Sequence, residues 1–351
     1  MGLRRAFPIA DRMIGTGRSF LIAEIGVNHN GSVGLAKDMV RAAAAAGADA
    51  VKFQAFRALE LVTERAPKAA YQERGSAASE SQLAMLQRLE LTDDAHAELS
   101  DLARSLGVIF LSSVFDRKGL KLVQDLRLPA VKVPSGELTD HALLAAIGAT
   151  KLPVALSTGM STMKEVEEAV EVLRKNGCTQ LVILHCVSAY PADPSDVNLR
   201  TLDTLRNTFK VPVGFSDHTL GTAVSLAAVA KGAAVIEKHF TTDRTLDGPD
   251  QAASATPVEL AAICRGAREI EAAMGTGIKS PTEAERETMA VARKSVVAAR
   301  DISAGERLDG SMVAIRRPGT GLPPSSLPSL LGKHVVRDIP RGAPIVAADL
   351  A

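Results

Sequence analysis

The sequence predicts an α/β protein: a (β/α)8 barrel followed by a small β-rich module. Three observations predict it. Eight short apolar, β-branched runs recur between Phe20 and Phe240, most of them followed by a segment of helical periodicity. Near-continuous hydrophobic strands that alternate with helices mark a parallel sheet covered on both faces, and a count of eight favours closure over an open sheet. From Lys294 onward the pattern changes to short strands punctuated by Gly and Pro.

The strands are expected at residues 20–26, 48–54, 108–113, 130–135, 154–158, 181–187, 211–216 and 234–240. Amphipathic or Ala-rich segments between them, such as 33–46, 92–106, 162–175, 222–231 and 257–274, supply the helices. The insertion over 57–91 is long and polar and reads as a helical excursion over the barrel mouth. The barrel domain is assigned to 1–281, ending in the Gly/Pro break after Met274; 282–293 form a charged helical linker, and 294–351 the terminal module. That module contains a weak repeat, Arg300-Asp-Ile-Ser-Ala-Gly305 and Arg337-Asp-Ile-Pro-Arg-Gly342, each followed by apolar residues and an aspartate, Asp309 or Asp349. A module of about 60 residues has little core of its own, so docking against a barrel is expected.

Composition excludes several function classes. With 41 basic and 40 acidic residues the net charge is +1, which gives no bulk attraction to nucleic acid or membrane. Trp is absent and aromatic residues make up 3%, which argues against base-stacking platforms. Cys178, Cys186 and Cys264 form no CxxC, and an odd count suits a reduced, cytoplasmic protein. The amino-terminal apolar run is short for a signal peptide, and no stretch reaches the roughly 18 apolar residues of a membrane span. There is neither a dinucleotide glycine fingerprint after the first strand nor a GxxxxGK[ST].

Barrels of this class build active sites from the carboxyl ends of their strands. In chain order those ends offer Glu24; Lys52 and Gln54 on one face; Ser112 and Ser113; Lys132, Ser135 and Glu137; Ser157 and Thr158; Ser188 and Tyr190; Ser216, Asp217 and His218; and Glu237 with His239. Each has a plain explanation by itself: hydroxyls at βα junctions are common helix caps, and a strand-end lysine often points to solvent. His185, inside Leu-His-Cys, reads as a core histidine with a hydrogen-bond partner. Together, two lysines amid hydroxyl-bearing ends form a cradle for a phosphate and a carboxylate. The two histidines at matching positions on the last strands suit an open-sided metal. A Schiff-base aldolase is the rival from the lysines; Lys238 turns away from the interior by strand parity, whereas Lys52 and Lys132 stay open to that role.

Several runs resemble one known family over nearly the whole chain. They are Ala23-Glu-Ile-Gly-Val-Asn-His-Asn-Gly31, Val51-Lys-Phe-Gln54, Lys132-Val-Pro-Ser-Gly-Glu137, Leu156-Ser-Thr-Gly-Met160, Gly214-Phe-Ser-Asp-His-Thr219, Glu237-Lys-His-Phe-Thr241, Gly248-Pro-Asp250 and Arg317-Pro-Gly-Thr-Gly321. The family is that of the sialic acid (N-acetylneuraminate) synthases, which also contains legionaminic and pseudaminic acid synthases. The tail resembles its antifreeze-like (SAF) domain, and the barrel its TIM barrel. The resemblance implies condensation of phosphoenolpyruvate with an N-acetylated amino sugar, releasing phosphate and a nine-carbon keto acid.

It further implies that His218 and His239 hold a divalent metal, Mn2+ first, with Mg2+ or Co2+ as substitutes. Glu24 would position or deprotonate water, and Glu237 would support the metal and hydroxyl network. Lys52, Ser113, Lys132, Ser135, Ser157, Ser188 and Ser216 match phosphoenolpyruvate contacts, and Gln54, Glu137, Tyr190 and Asp250 match positions facing the sugar. Arg317 matches an arginine that reaches into the partner's barrel in a homodimer. Two departures, Ser188 in place of a frequent Asn and Gln251 in place of a frequent His, bear on the sugar. The resulting expectation is synthesis of N-acetylneuraminate from N-acetylmannosamine. Its alternative is a legionaminic acid synthase using 2,4-diacetamido-2,4,6-trideoxymannose, with a pseudaminic acid synthase, an aldolase and a non-catalytic sugar-binding protein further off.

Overall fold

The computed structural model describes residues 2–69, 71–72 and 80–351. It divides into two compact units, Met1–Gly275 and Thr276–Ala351. The first begins with an antiparallel hairpin that the sequence reading does not foresee, β1 (Phe7–Ile9) and β2 (Arg12–Ile14), pairing Phe7 with Ile14. Strands of three residues carry too little periodicity to register as a pattern.

Eight parallel strands then close a barrel. They are β3 (Phe20–Gly26), β4 (Ala50–Ala55), β5 (Ile109–Val114), β6 (Val131–Val133), β7 (Val154–Ser157), β8 (Leu181–Cys186), β9 (Val213–Asp217) and β10 (Val235–His239), which returns to pair with β3. The expected fold class is thus observed, with strand ends displaced by one or two residues. Ser135, expected at the end of a strand, instead opens a 3-10 turn over Ser135–Glu137.

Alternation explains both layers of the barrel. Outward residues such as Val51, Phe53, Ile183 and Phe215 pack under helices including Val33–Ala45 and Met163–Lys175, through Met39, Val40, Val166 and Leu173. Inward residues near the strand starts, among them Phe20, Ile22, Leu111, Val182 and Val235, form a second apolar cluster with Phe7, Ile9 and Ile14 of the hairpin. The hairpin therefore seals the amino-terminal end of the barrel. Farther along the same inward rows the residues become polar, and that is where the site lies. The helices start where the sequence signals starts: Thr162 with Glu165, and Thr256 with Glu259 behind Pro257, each form reciprocal caps.

The excursion after β4 contains helices Ala58–Leu61 and Gln82–Leu89; residues 70 and 73–79 of it lie outside the described residues. Although its composition is polar, it buries Met85 and Leu89 against Val27 and Phe56, with Leu61, Leu86 and Phe115 around them.

In the second unit, residues 282–293 carry the helix Glu283–Ala292. Strands β11 (Ser295–Ala298) and β12 (Val313–Arg316) pair antiparallel over a core of Val296, Ile302, Leu308, Val335, Ile339 and Ile345. The sequence repeat is visible as exchanged contacts. Ile302 and Ile339 bond each other's backbones at 2.9 and 2.8 Å, Asp338 accepts from Ala304 N at 2.8 Å, and Asp301 accepts from Arg341 N at 2.7 Å.

Candidate active site

Each inward row runs from apolar to chemical within two residues: Ile22 to Glu24, Ala50 to Lys52 to Gln54, Leu111 to Ser113, Ala130 to Lys132, Ala155 to Ser157, and Val235 to Glu237 to His239. The polar ends converge on a cavity of about 450 Å3 at the carboxyl end of the barrel. Of the predicted residues, Glu24, Lys52, Gln54, Ser113, Lys132, Ser135, Glu137, Ser157, Ser188, Tyr190, Ser216, His218, Glu237, His239 and Asp250 all line it. Arg317 belongs to the second unit, exposed at the end of β12, without an ion-pair partner among the described residues.

Two ammonium groups lie on the cavity floor. Lys52 Nζ donates to Ser113 Oγ at 2.7 Å and pairs with Glu24 at 2.6 Å. Lys132 Nζ donates to Ser157 Oγ at 2.7 Å and to the Val133 carbonyl at 3.1 Å. Glu237 stands between them, 3.7 Å from each ammonium, and accepts from Ser216 Oγ at 2.9 Å. Burial alone would raise the Glu237 carboxyl, but Lys132 and Lys52 pull it below its usual range, so it stays charged. Burial lowers Lys132. For Glu24 burial wins over Lys52, and its pKa rises to about 7.

Beside this floor, Ser135 Oγ accepts from Gly159 N at 2.9 Å. A Cβ on Gly159 would come within 2.2 Å of Ser188 Oγ and 2.9 Å of Ser135 Oγ, so only glycine lets the three strand ends approach. Hydroxyls and two ammoniums thus face a small volume, a donor set suited to a phosphate with a carboxylate nearby.

The histidines occupy the opposite arc. Their ring centroids are 5.2 Å apart, and Tyr190 lies tilted over His218 at 4.1 Å and meets His239 edge-on at 5.6 Å. His218 Nδ1 lies 2.7 Å from the Val187 carbonyl, a bond that requires a proton on Nδ1 and, in the neutral ring, leaves Nε2 as a lone-pair donor. His239 Nδ1 is buried without a hydrogen-bond partner, 3.8 Å from Asp250. Burial, reinforced by His218 and nearby lysines, pushes His239 well below its ordinary range, so the imidazole is neutral. Two neutral-capable imidazoles, one fixed by a carbonyl and one with an orphaned nitrogen, fit a divalent cation. Among the described residues no group of three or more His, Cys, Asp and Glu side chains could hold one, so water or substrate would complete the coordination.

The sugar-facing positions lie toward the rim. Gln54 Nε2 donates to Glu24 at 3.2 Å. Burial raises Asp250 to about 6 and Glu137 to about 7, the latter helped by Asp140 and Asp116. Around them the excursion supplies an apolar wall of Leu61, Met85, Leu86 and Leu89, with Val27 and Phe115. Tyr71 covers Tyr190 at 4.7 Å. Sequence reasoning missed this wall, Tyr71 and Cys186. For Cys186 a signal existed, since it shares strand parity with Leu184 and so must face inward. His185 bonds the Val197 carbonyl at 2.5 Å, as a core histidine should. Lys238, the aldolase candidate set aside by parity, lies on the outer face, paired with Asp217.

Comparison with known proteins gives two family matches. The NeuB family profile matches residues 39–279 and the SAF domain profile residues 293–351. A Campylobacter jejuni relative named N,N'-diacetyllegionaminic acid synthase is 44% identical, spanning 92% of this chain and 97% of that protein. A Legionella pneumophila relative of the same name is 42% identical, spanning 93% of each. The solved structure of an N-acetylneuraminic acid synthetase from Leptospira borgpetersenii, in complex with citrate, aligns with a TM-score of 0.73 at 32% identity, covering 82% of this chain and 96% of that one.

Proposed function

The chain belongs to the NeuB family and is an enzyme, and from that premise we propose that it joins phosphoenolpyruvate to 2,4-diacetamido-2,4,6-trideoxymannose, giving N,N'-diacetyllegionaminate and phosphate. The observation that carries this reading is the division of the cavity: an anion-binding floor of Lys52, Lys132 and hydroxyls beneath a rim walled by Leu61, Met85, Leu86 and Leu89. The C6 methyl of a 6-deoxy sugar gains from such a wall, whereas a C6 hydroxyl would lose its water there. Among the described lining residues no arginine or further lysine stands ready for a phosphate on the sugar. Identities of 44% and 42% to proteins named for the legionaminic product, against 32% to the N-acetylneuraminic acid synthetase, support the same choice. The expectation of N-acetylmannosamine as substrate becomes the second reading.

In the reaction, Lys52 and Lys132 hold the phosphate and carboxylate of phosphoenolpyruvate, with Ser113, Ser135, Ser157, Ser188 and Ser216 fixing their orientation. Gln54, Glu137, Tyr190 and Asp250 orient the open-chain sugar so that its aldehyde carbon faces C3 of the enol. His218 and His239 would hold a divalent ion such as Mn2+, which would supply Lewis acidity for the aldehyde oxygen. As the C–C bond forms, positive charge develops at C2, where Glu237 and Glu24 lie nearby. Water adds to C2 and Glu24 takes one of its protons, which passes to the oxygen of the former aldehyde. As the bond between C2 and the phosphate oxygen breaks, the C2 hydroxyl gives its proton to the departing phosphate and becomes the ketone carbonyl.

The test is phosphate release from phosphoenolpyruvate by chelator-treated protein, with and without Mn2+, offering the diacetamido sugar and N-acetylmannosamine in parallel. Release that needs Mn2+ and prefers the diacetamido sugar is expected. Preference for N-acetylmannosamine would transfer the assignment to the second reading, and no release with either would remove the activity.

The proposal includes a homodimer in which Arg317 serves the partner's barrel, a role suited to its exposure and lack of an ion-pair partner among the described residues. Mixing inactive Arg317→Ala and Glu24→Gln proteins should then restore about a quarter of full activity, because random exchange rebuilds one sound site in half of the dimers. An inert mixture after proven subunit exchange would refute it.

A further inference from the structure

We propose that Asp217 and Lys238, sealed behind the barrel wall, are positioning residues that set the separation of the His218 and His239 imidazoles and thereby tune the affinity of that site for a divalent cation. The inference rests on the reading of the two histidines as cation ligands.

The geometry follows from strand parity. Lys238 and Asp217 are register partners on β10 and β9, both facing outward, so the next residue of each chain segment is a histidine on the cavity side. Their side chains pair at 2.9 Å with exposures of 2% and 0%. Neither lines the cavity, so an effect on the reaction must pass through the histidines.

The pair also grips the chain on both sides of His218. Asp217 Oδ1 accepts from Thr219 N at 2.9 Å and from Thr219 Oγ1 at 2.8 Å, while Oδ2 accepts from Ser225 Oγ at 2.5 Å. Lys238 Nζ donates to the Thr219 carbonyl as well. The residues before and after His218 are thus tied to the residue before His239. His239 Nδ1 has no hydrogen bond of its own, so the ring is placed by the backbone of β10 together with its packing against Tyr190. A buried ion pair is a poor choice for stability alone, since apolar residues of equal volume usually serve as well; its use is to fix one arrangement. Here the fixed arrangement is the spacing of two imidazoles.

The test compares wild type, Asp217→Asn, Lys238→Met and the milder double variant Thr219→Val/Ser225→Ala. Mn2+ affinity is read by the electron paramagnetic resonance of free Mn2+, folding by circular dichroism, and turnover as kcat and the KM for phosphoenolpyruvate. Asp217→Asn and Lys238→Met should weaken Mn2+ binding by about 10- to 100-fold, as loss of a group that orients a ligand does. The Mn2+ concentration for half-maximal rate should rise in parallel, with the KM for phosphoenolpyruvate nearly unchanged. The double variant should lose affinity by a smaller factor. Folded Asp217→Asn that binds Mn2+ as wild type does would overturn the inference while leaving the metal reading intact. Should the single variants not fold, unchanged affinity in the double variant overturns it equally. Wild type that binds no Mn2+ refutes the metal reading itself, and this inference with it.

Discussion

Burial holds three carboxyl groups of the cavity above their ordinary range, Glu24 and Glu137 to about 7 and Asp250 to about 6, so their charge is decided near neutrality. A base works only when ionised, so the rate should fall as pH drops through about 7 if Glu24 is the base. Glu24→Gln should lose about 10²- to 10⁴-fold in kcat, and the acidic limb with it; near-normal turnover across the range would exclude the role. Glu137 gives a stability prediction of definite sign. Its pKa is raised from 4.5 to about 7 by burial, so the folded state prefers the neutral acid. That contribution is complete below pH 4.5 and disappears as pH rises through 7. Glu137→Gln keeps a neutral side chain, so its melting temperature relative to wild type should climb between pH 5 and pH 8. Gly159→Ala tests the cradle: with its Cβ 2.2 Å from Ser188 Oγ, the KM for phosphoenolpyruvate should rise while the melting curve moves little. At this scale the sequence was most readable where residues alternate along a strand, because parity dictates facing; Lys52 with Gln54, and Glu237 with His239, could be paired without coordinates. Cys186 escaped because the apolar run around it looked like core.

Elements were legible in proportion to their hydrophobic contrast. Each barrel strand stands out as an apolar run, and Pro257–Met274 begins and ends where its Thr256 cap and its Gly275 place it. The excursion after β4 was legible as helical and as lying over the barrel mouth. Its apolar wall was not, because Met85, Leu86 and Leu89 sit within a polar insertion and their partners, Val27 and Phe115, come from other strand ends. Only the closed barrel brings those ends together. The wall has a testable role as an element. Leu86→Ser should narrow the preference for the diacetamido sugar over N-acetylmannosamine by about tenfold in kcat/KM, a typical value for a small change in apolar contact. An unchanged ratio would mean that the wall does not read C6.

At the scale of the molecule, eightfold alternation and the change of texture at Lys294 made the barrel and the second module foreseeable, while the hairpin of β1 and β2 was hidden by its brevity. Phe7 is nearly inaccessible at 1%, and Phe7→Ala should cost about 3 kcal/mol of stability through the cavity it leaves, with kcat per folded molecule unchanged. No described helix is long and apolar enough to cross a membrane. The hairpin has a further consequence for traffic. A barrel stoppered at one end has a single door, and the lysine floor lies farther from that door than the leucine wall. For the proposed reaction, phosphoenolpyruvate should therefore enter before the sugar covers it, and phosphate should wait until the keto acid has gone. Kinetically this is a compulsory queue, first in and last out. Phosphate should inhibit competitively against phosphoenolpyruvate and noncompetitively against the sugar.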